Sequence, residues 1–240
     1  MQIFNKWSSP NYNERAEGVC IDAVVLHYTA MPTPEKALEW LCNPLSKVSC
    51  HYLIDEKGSI FSIVSEEHRA WHAGTPSHWD GQDDMNSRSI GIELSNLGEG
   101  PFPKGQIDAL CILLRDIVDR YKILPSRILA HSDVAPQRKI DPGPWFPWAY
   151  LASQNLALWA DRKNLQKENT SIMDFQKDLQ IFGYECSIPG VWDVRTQKVR
   201  QAFLIHFYPE LWRKQSCSWR EHALLKRLLA KRIEIERDKR

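Results

Sequence analysis

The stretch AHSDVAPQRKIDPGPWFPW, residues 130–148, places chemically active side chains in a proline-rich loop. His131 and Asp141 stand ten positions apart, and a further histidine, His27, lies near the end of the apolar run AVVLHY. A catalytic zinc takes three nitrogen, oxygen or sulfur ligands from the protein and keeps one position open for water. Residues at strand ends can converge on one cleft, so His27, His131 and Asp141 form a candidate Zn²⁺ site.

Two further residues fit the chemistry of such a site. Glu93 alternates away from the apolar positions of SIGIEL and is a candidate general base for a water molecule. Lys139 lies two positions before Asp141 and is a candidate for stabilising a developing oxyanion. The spacing also allows a purely structural interpretation, because histidines at strand ends are commonly hydrogen-bonded scaffold residues.

Mixed strands and helices must position these residues. Short apolar or alternating runs predict strands at 23–28, within 51–64, at 89–94 and at 127–131. Thr33 is a candidate N-cap with Pro34 at the first helical position. Apolar residues recur at helical spacing over 105–121. Residues 1–160 are therefore expected to form one α/β domain.

The remainder of the chain has a different pattern. Residues 161–170, DRKNLQKENT, are polar without apolar periodicity and are expected to be a linker. Beyond them, one helix is predicted to end at Gly183, a second to be capped by Asp193, and a third to run from about Trp219 into the charged tail. Residues 161–240 are therefore expected to be a small all-α domain.

Composition excludes several classes of function. Of the 240 residues, 43% are hydrophobic and 25% charged, and the formal net charge of +1 favours neither nucleic acid nor an anionic membrane as partner. No stretch has the length and hydrophobicity of a membrane span or a signal peptide, so we expect a cytoplasmic protein, or an envelope protein if a leader was removed. The six cysteines are scattered, which argues against a zinc–thiolate cluster.

Several ordered stretches resemble one known family. They are SPNYNERAEGVCIDAVVLHYTA, VSCHYLIDEKGSIFSIV, RAWHAG, SIGIELSN and the opening stretch, and together they span roughly residues 8–150. They resemble the type-2 family of zinc-dependent N-acetylmuramoyl-L-alanine amidases, whose fold is shared by peptidoglycan recognition proteins. The stretch FQKDLQIFGYECSIPGVWDVRTQKVRQAFLIHFYP is similar to a helical peptidoglycan-binding module. The resemblance implies a mixed central β-sheet flanked by helices, followed by that module.

The resemblance also implies roles for individual residues. Zn²⁺ would be held by His27, His131 and Asp141, with Glu93 as the catalytic carboxylate and Lys139 as the stabiliser of the transition state. The family cleaves the amide between the lactyl group of N-acetylmuramic acid and the L-alanine of the stem peptide. Peptidoglycan or a muropeptide is thus the expected partner, and the pattern does not choose between intact wall and soluble 1,6-anhydro-muropeptides.

Other residues have competing interpretations. His51, His72, Trp71 and Arg138 are candidate substrate contacts, although a structural or ligand-supporting role is an alternative for both histidines and a surface role for Arg138. Asp133 competes with Asp141 as a ligand but is better placed to cap a turn. Two rival functions also stay open: a recognition protein that binds muropeptide without cutting it, and a zinc peptidase that cuts within the stem. Oligomeric state is not predicted.

Overall fold

The computed structural model describes residues 2–167, 169, 171–214 and 218–238. Its main sheet has six strands in the order β1-β5-β4-β9-β3-β10. These strands are β1 Ile3–Phe4, β3 Ala23–Tyr28, β4 Tyr52–Ile54, β5 Ile60–Ser62, β9 Ser89–Leu94 and β10 Ile128–Ala130. Strands β4, β9, β3 and β10 are parallel to one another, and β5 pairs with β4 in the antiparallel sense. The predicted mixed sheet is confirmed.

Besides the main sheet, the described residues form two small antiparallel strand pairs and eight α-helices. The pairs are β2 Tyr12–Glu14 with β6 His68–Ala70, and β7 His78–Trp79 with β8 Gln82–Asp83. The helices are α1 Pro34–Leu41, α2 Met85–Arg88, α3 Lys104–Tyr121, α4 His131–Val134, α5 Trp148–Ser153, α6 Ile172–Phe182, α7 Val194–Phe207 and α8 Trp219–Arg237.

Local sequence explains where several helices begin and end. The Thr33 side chain accepts a hydrogen bond from the amide of Lys36, and Asp193 accepts one from Thr196, so both predicted N-caps are confirmed. Helix α6 ends at Gly183, whose φ of 127° favours glycine. A Cβ at this position would also lie 2.7 Å from the Trp79 ring, so the close approach of α6 to β7 requires glycine as well.

Both faces of the main sheet are buried. Val24 and Leu26 of β3 pack with Ile90 and Ile92 of β9 against α3. Strand residues alternate between faces, so Ala23 and Val25 point the other way, together with His27. The apolar positions on this second face join the same hydrophobic core as the C-terminal helices; that core includes Ala23, Val25, Leu129, Val134, Phe175, Leu179, Phe203 and Leu225. The α/β part and the helices are therefore continuous through one core.

The segment after residue 160 contains no helix or strand up to residue 167, as expected for the linker, while Glu168 and Thr170 lie outside the described residues. It is nevertheless fixed to α8, because Arg227 donates to the backbone carbonyls of Asp161 and Lys163. The five described cysteines are free, and Cys217 lies outside the described residues. No described helix has both the length and the hydrophobicity needed to cross a bilayer.

Candidate active site

Three side chains converge at the carboxyl ends of β3 and β10. His27 is the penultimate residue of β3, His131 follows β10 directly, and Asp141 lies in the loop beyond α4. His27 Nδ1 lies 2.9 Å from His131 Nδ1 and 3.2 Å from Asp141 Oδ2, and the last two atoms are 3.0 Å apart. All three residues are buried, and within the described part of the chain they are the one group of His, Cys, Asp or Glu that has this geometry.

A hydrogen-bond chain fixes which nitrogen of His27 carries the proton. The Ser89 hydroxyl donates to the carbonyl of Met85, 2.5 Å away, so its oxygen is free to accept from His72 Nε2 at 3.3 Å. A neutral His72 then has no proton on Nδ1, which accepts from His27 Nε2 at 3.1 Å. With its proton on Nε2, neutral His27 presents a lone pair at Nδ1.

The same reasoning applies to His131. Its Nε2–H donates to the carbonyl of Ala73 at 3.1 Å, so the Nδ1 of the neutral ring carries a lone pair. When both rings are neutral, three hydrogen-bond acceptors therefore face one another, an arrangement that repels unless a cation lies among them. Tetrahedral Zn²⁺ with bonds of about 2.0–2.1 Å separates neighbouring ligand atoms by roughly 3.3 Å, close to the spacing of these three atoms.

Burial and charge keep these groups in their metal-binding states. Burial, followed by the neighbouring His131, lowers the pKa of His27 to about 4, so this ring is neutral near pH 7. Burial alone raises the pKa of Asp141, but the charge and hydrogen bonds that His131 and His27 supply when protonated outweigh it and hold that pKa well below its usual range, so this carboxylate is ionised. A neutral imidazole and an ionised carboxylate are the forms that bind metal.

Glu93 lies beside the three converging residues. It is the parallel-strand partner of His27 across β3 and β9, and it lies on the same face of the sheet. Its Oε2 has no hydrogen-bond partner among the described residues. Burial, and then the negative charge of Asp141, raises the pKa of Glu93 from 4.5 to about 8, whereas Lys139 opposes the shift. A carboxyl group with a pKa near neutrality is suited to proton transfer.

A cavity of about 380 Å³ opens over this group. Its polar lining residues include Glu93, His131, Lys139 and Asp141, whereas His27 does not line it. Its apolar lining residues include Met31, Trp40, Leu41, Val48 and Ile140. A mostly apolar pocket with a few converging polar groups is the usual form of a small-ligand site.

Trp71 and Arg138, two of the candidate substrate contacts, also border this cavity. The indole nitrogen of Trp71 donates to Asn13 Oδ1 at 2.6 Å, which fixes the ring at the rim. The Arg138 guanidinium donates to the carbonyls of Ala73 and Pro76, at 2.5 and 2.8 Å. Arg138 therefore holds the 73–76 loop as well as facing the cavity.

His72 and His51 have different positions. His72 borders the cavity and supports His27, and its ring occupies the space where a Cβ of residue 91 would lie, 2.3 Å away. His51 is fully buried and does not border the cavity. Its Nδ1 accepts from the amide of Gly91 at 2.9 Å, and its Nε2 lies 3.1 Å from the carbonyl of His68. Both ring nitrogens face the scaffold, which favours the structural alternative for His51 over a substrate contact.

Asp133 lies apart from the converging group. Its Oδ2 accepts from the amide of Ala130 at 2.8 Å, so its expected role as the cap of a turn is confirmed.

Trp79 and Trp148 are buried in the core, whereas Trp145 is exposed.

Sequence patterns did not reveal Ser89, which contacts His72 and so supports His27 indirectly. Gly91 was the available sequence signal, because a glycine inside a strand indicates that another group approaches the backbone closely. Here that group is the ring of His72.

Comparisons with known proteins place the chain among related sequences. The family model of N-acetylmuramoyl-L-alanine amidases matches residues 16–144. The N-acetylmuramoyl-L-alanine amidase AmiD of Escherichia coli is 36% identical over 219 residues, covering 80% of this chain and 76% of AmiD. The 1,6-anhydro-N-acetylmuramyl-L-alanine amidase AmpD of Haemophilus influenzae is 36% identical over 165 residues, covering 60% of this chain and 89% of AmpD.

A solved structure extends the similarity to the fold. It is the complex of Escherichia coli AmiD with the substrate anhydro-N-acetylmuramic acid-L-Ala-D-gamma-Glu-L-Lys, with 35% sequence identity and a TM-score of 0.77. The match covers 91% of this chain and 93% of the AmiD chain, so it extends over helices as well as the sheet. The chain belongs to the N-acetylmuramoyl-L-alanine amidase family.

Proposed function

We propose that this chain hydrolyses the amide bond between the lactyl group of N-acetylmuramic acid and the L-alanine of the stem peptide, with Zn²⁺ held by His27, His131 and Asp141. The observation that carries the proposal is the convergence of three candidate ligand atoms beside the unpartnered carboxyl oxygen of Glu93. The solved AmiD complex contains an anhydro-muramyl peptide, which supports soluble muropeptides as the substrate class.

The proposed chemistry divides among few groups. Zn²⁺, when bound, supplies Lewis-acid polarisation of the scissile carbonyl and lowers the pKa of a coordinated water. Glu93 accepts the proton of the attacking water and then delivers it to the leaving amine. The pKa of about 8 suits this exchange, since one carboxyl group must take up and release a proton near neutral pH.

Lys139 has the complementary charge. It borders the same cavity as Glu93 and Asp141 and opposes the rise in the pKa of Glu93. In the proposal its ammonium group stabilises the oxyanion that forms when water adds to the amide carbonyl.

Substrate binding is assigned to the cavity walls. Trp71, His72 and Arg138 border the cavity, and the apolar wall offers Trp40 and Val48 for the uncharged parts of a muropeptide. His51 is not part of the proposal.

The proposal also assigns different roles to the two parts of the chain. Residues 1–160 supply the catalytic groups, and residues 161–240 form the helical peptidoglycan-binding-like part. Cell fractionation decides between the two expected locations, the cytoplasm and the cell envelope.

Mass spectrometry of a muropeptide digest tests the function. Zn²⁺-loaded protein is expected to release free stem peptide and peptide-free muramyl sugar, and a chelator is expected to stop the release. Intact wall and soluble 1,6-anhydro-muropeptides are assayed in parallel, and faster release from the soluble form is expected. Binding without products would indicate a recognition protein, and L-alanine left on the sugar would indicate a peptidase; either result contradicts the proposal.

A further inference from the structure

The carboxylate of Asp133 links the turn that carries His131 to the C-terminal helical part. Asp133 is 1% exposed and lies in α4, two residues after His131. Besides the amide of Ala130, two side chains donate to it: Tyr184 Oη to Oδ1 at 2.6 Å, and His206 Nδ1 to Oδ2 at 2.7 Å. Both donors come from residues beyond 160.

These two donors are held firmly by their surroundings. The His206 ring stacks on Trp148, with ring centres 3.7 Å apart, and on Phe207 at 3.8 Å. Tyr184 packs edge-on against Trp79 of β7, with ring centres 4.9 Å apart. Because Asp133 has almost no access to water, these donors replace its hydration, and a buried carboxylate that loses such donors destabilises its segment.

The α4 turn connects two of the three converging residues. His131 is its first residue, and the amide of Ser132 donates to the backbone carbonyl of Asp141 at 3.0 Å. A displacement of α4 therefore moves the His131 ring and releases the Asp141 loop together. Ligand atoms that already lie 3.0 Å apart leave little room for such a movement.

We propose that Tyr184 and His206 are positioning residues for the metal site: by holding Asp133, they fix the α4 turn and thereby the mutual geometry of His131 and Asp141. The helical part then has a second role, as a structural component of the site, beyond the binding of cell wall. This inference rests on the proposed Zn²⁺ site but not on the identity of the bond that is cleaved.

Two isosteric variants of the full chain test the proposal. Tyr184→Phe removes one hydroxyl, and His206→Phe keeps a ring between Trp148 and Phe207 but removes the donor. His222→Phe is the matched control, because His222 is a buried histidine of the same helical part whose hydrogen bond and ring contact are with Asp178, at 2.5 Å, and Phe175 rather than with Asp133. Zn²⁺ affinity is measured by competition with a chromophoric chelator, and the melting temperature is measured on the metal-free proteins.

The expected result separates positioning from stability. Tyr184→Phe and His206→Phe are expected to weaken Zn²⁺ binding by about tenfold, in line with the loss of outer partners of metal ligands. His222→Phe is expected to lower the melting temperature while leaving the Zn²⁺ affinity unchanged. In metal-free Tyr184→Phe, the amide of Ser132 is expected to exchange its hydrogen faster than in the wild type.

Contrary results have distinct meanings. Unchanged Zn²⁺ affinity in Tyr184→Phe overturns the proposal, even if His206→Phe does not fold. Equal losses of affinity in all three variants also overturn it, since the effect would then follow general stability. Zn²⁺ binding by a wild type that releases no stem peptide refutes the proposed reaction alone, and the affinity comparison still decides the positioning role. A wild type that binds no Zn²⁺ refutes both.

Discussion

Glu93 and His27 are direct partners across the parallel strands β9 and β3. Their backbones are linked by the hydrogen bonds of the central strand pair, so the proposed base and one proposed ligand cannot move independently. The Leu53 position of β4 flanks Glu93 on its other side, which places this carboxyl group in the interior of the sheet rather than on a mobile loop.

Replacement of Glu93 by Gln is expected to abolish turnover without loss of metal. Gln has nearly the same shape but cannot accept a proton, and loss of a general base typically lowers the rate by about 10²–10⁴-fold. The rate of stem-peptide release and the zinc content are measured on the same sample. Undiminished release would remove Glu93 from its role, and loss of zinc would make it a ligand instead.

The dependence of the rate on pH is expected to follow the protonation of Glu93. A carboxyl group accepts a proton only when ionised, so kcat/KM should fall as pH decreases through its pKa. Burial and Asp141, with Lys139 opposing them, raise that pKa from 4.5 to about 8, and a bound cation lowers it from there. We therefore expect the midpoint of the acid limb between these two values. A rate that is flat from pH 4 to 8, measured over this range, would contradict the assignment.

Replacement of Lys139 by Met is expected to have two linked effects. Removal of a charge that stabilises an oxyanion lowers kcat by about 10²-fold. Because Lys139 also lowers the pKa of Glu93, the acid limb of the rate profile should move to higher pH. Lys104→Met is a suitable control, since Lys104 lies on the exposed surface of α3 and pairs with Asp108. A fall in kcat without movement of the acid limb would show that the two side chains are not coupled.

His72 is expected to support metal binding through His27. His72→Leu removes the acceptor for His27 Nε2–H and should weaken Zn²⁺ affinity by about 10–100-fold. His72→Asn can place its side-chain oxygen near the position of Nδ1, so it should recover much of that loss. Isothermal titration of the metal-free proteins compares the variants. Equal affinities for the wild type and His72→Leu would leave His72 with a packing role only.

Acid is expected to destabilise the metal-free fold through His51. Burial, and then the charge of Arg15, lowers the pKa of His51 from 6.5 to about 3. Between these values the unfolded chain binds a proton that the folded chain does not, so the free energy of unfolding falls as pH decreases. The slope is about 1.4 kcal/mol per pH unit for each such histidine.

Urea unfolding at pH 4 to 6 measures this slope in the wild type and in His51→Asn, whose side-chain oxygen can accept from the Gly91 amide. In the variant the free energy of unfolding should fall less steeply as pH decreases. The difference in slope from the wild type should be roughly 1.4 kcal/mol per pH unit, the contribution of one histidine. His27 and His72 contribute to the wild-type slope with the same sign, so the difference between the two proteins is the informative quantity.

Local sequence patterns predicted the strands and helices that are long enough to show a period. The apolar run of β3 and the 3.6-residue spacing of α3 gave both elements nearly at their observed bounds. Strands of two or three residues, such as Ile3–Phe4 and His78–Trp79, are too short for a period to be recognised. Strand order is likewise not contained in the period of any one strand.

Prediction of the candidate site from the sequence has the same limit. His27, Glu93, His131 and Asp141 could be proposed from residue type, spacing and family resemblance. The burial of His51 could not, since a histidine just before a strand has no sequence signal for its direction. The bonds of Asp133 to Tyr184 and His206 join residues 51 and 73 positions apart, a separation at which no local pattern operates.

The sheet shares a hydrophobic core with α6–α8, so the order of synthesis determines when this core is complete. The ribosome releases the sheet and the α4 turn first, while Tyr184 and His206 are still to be synthesised. Until those residues emerge, the sheet face that carries Val25 and Leu129 has no cover from α6–α8, and Asp133 lacks two of its donors. A nascent chain halted near residue 160 therefore holds every proposed catalytic side chain, but lacks two of the donors to Asp133 that we propose align the candidate metal site.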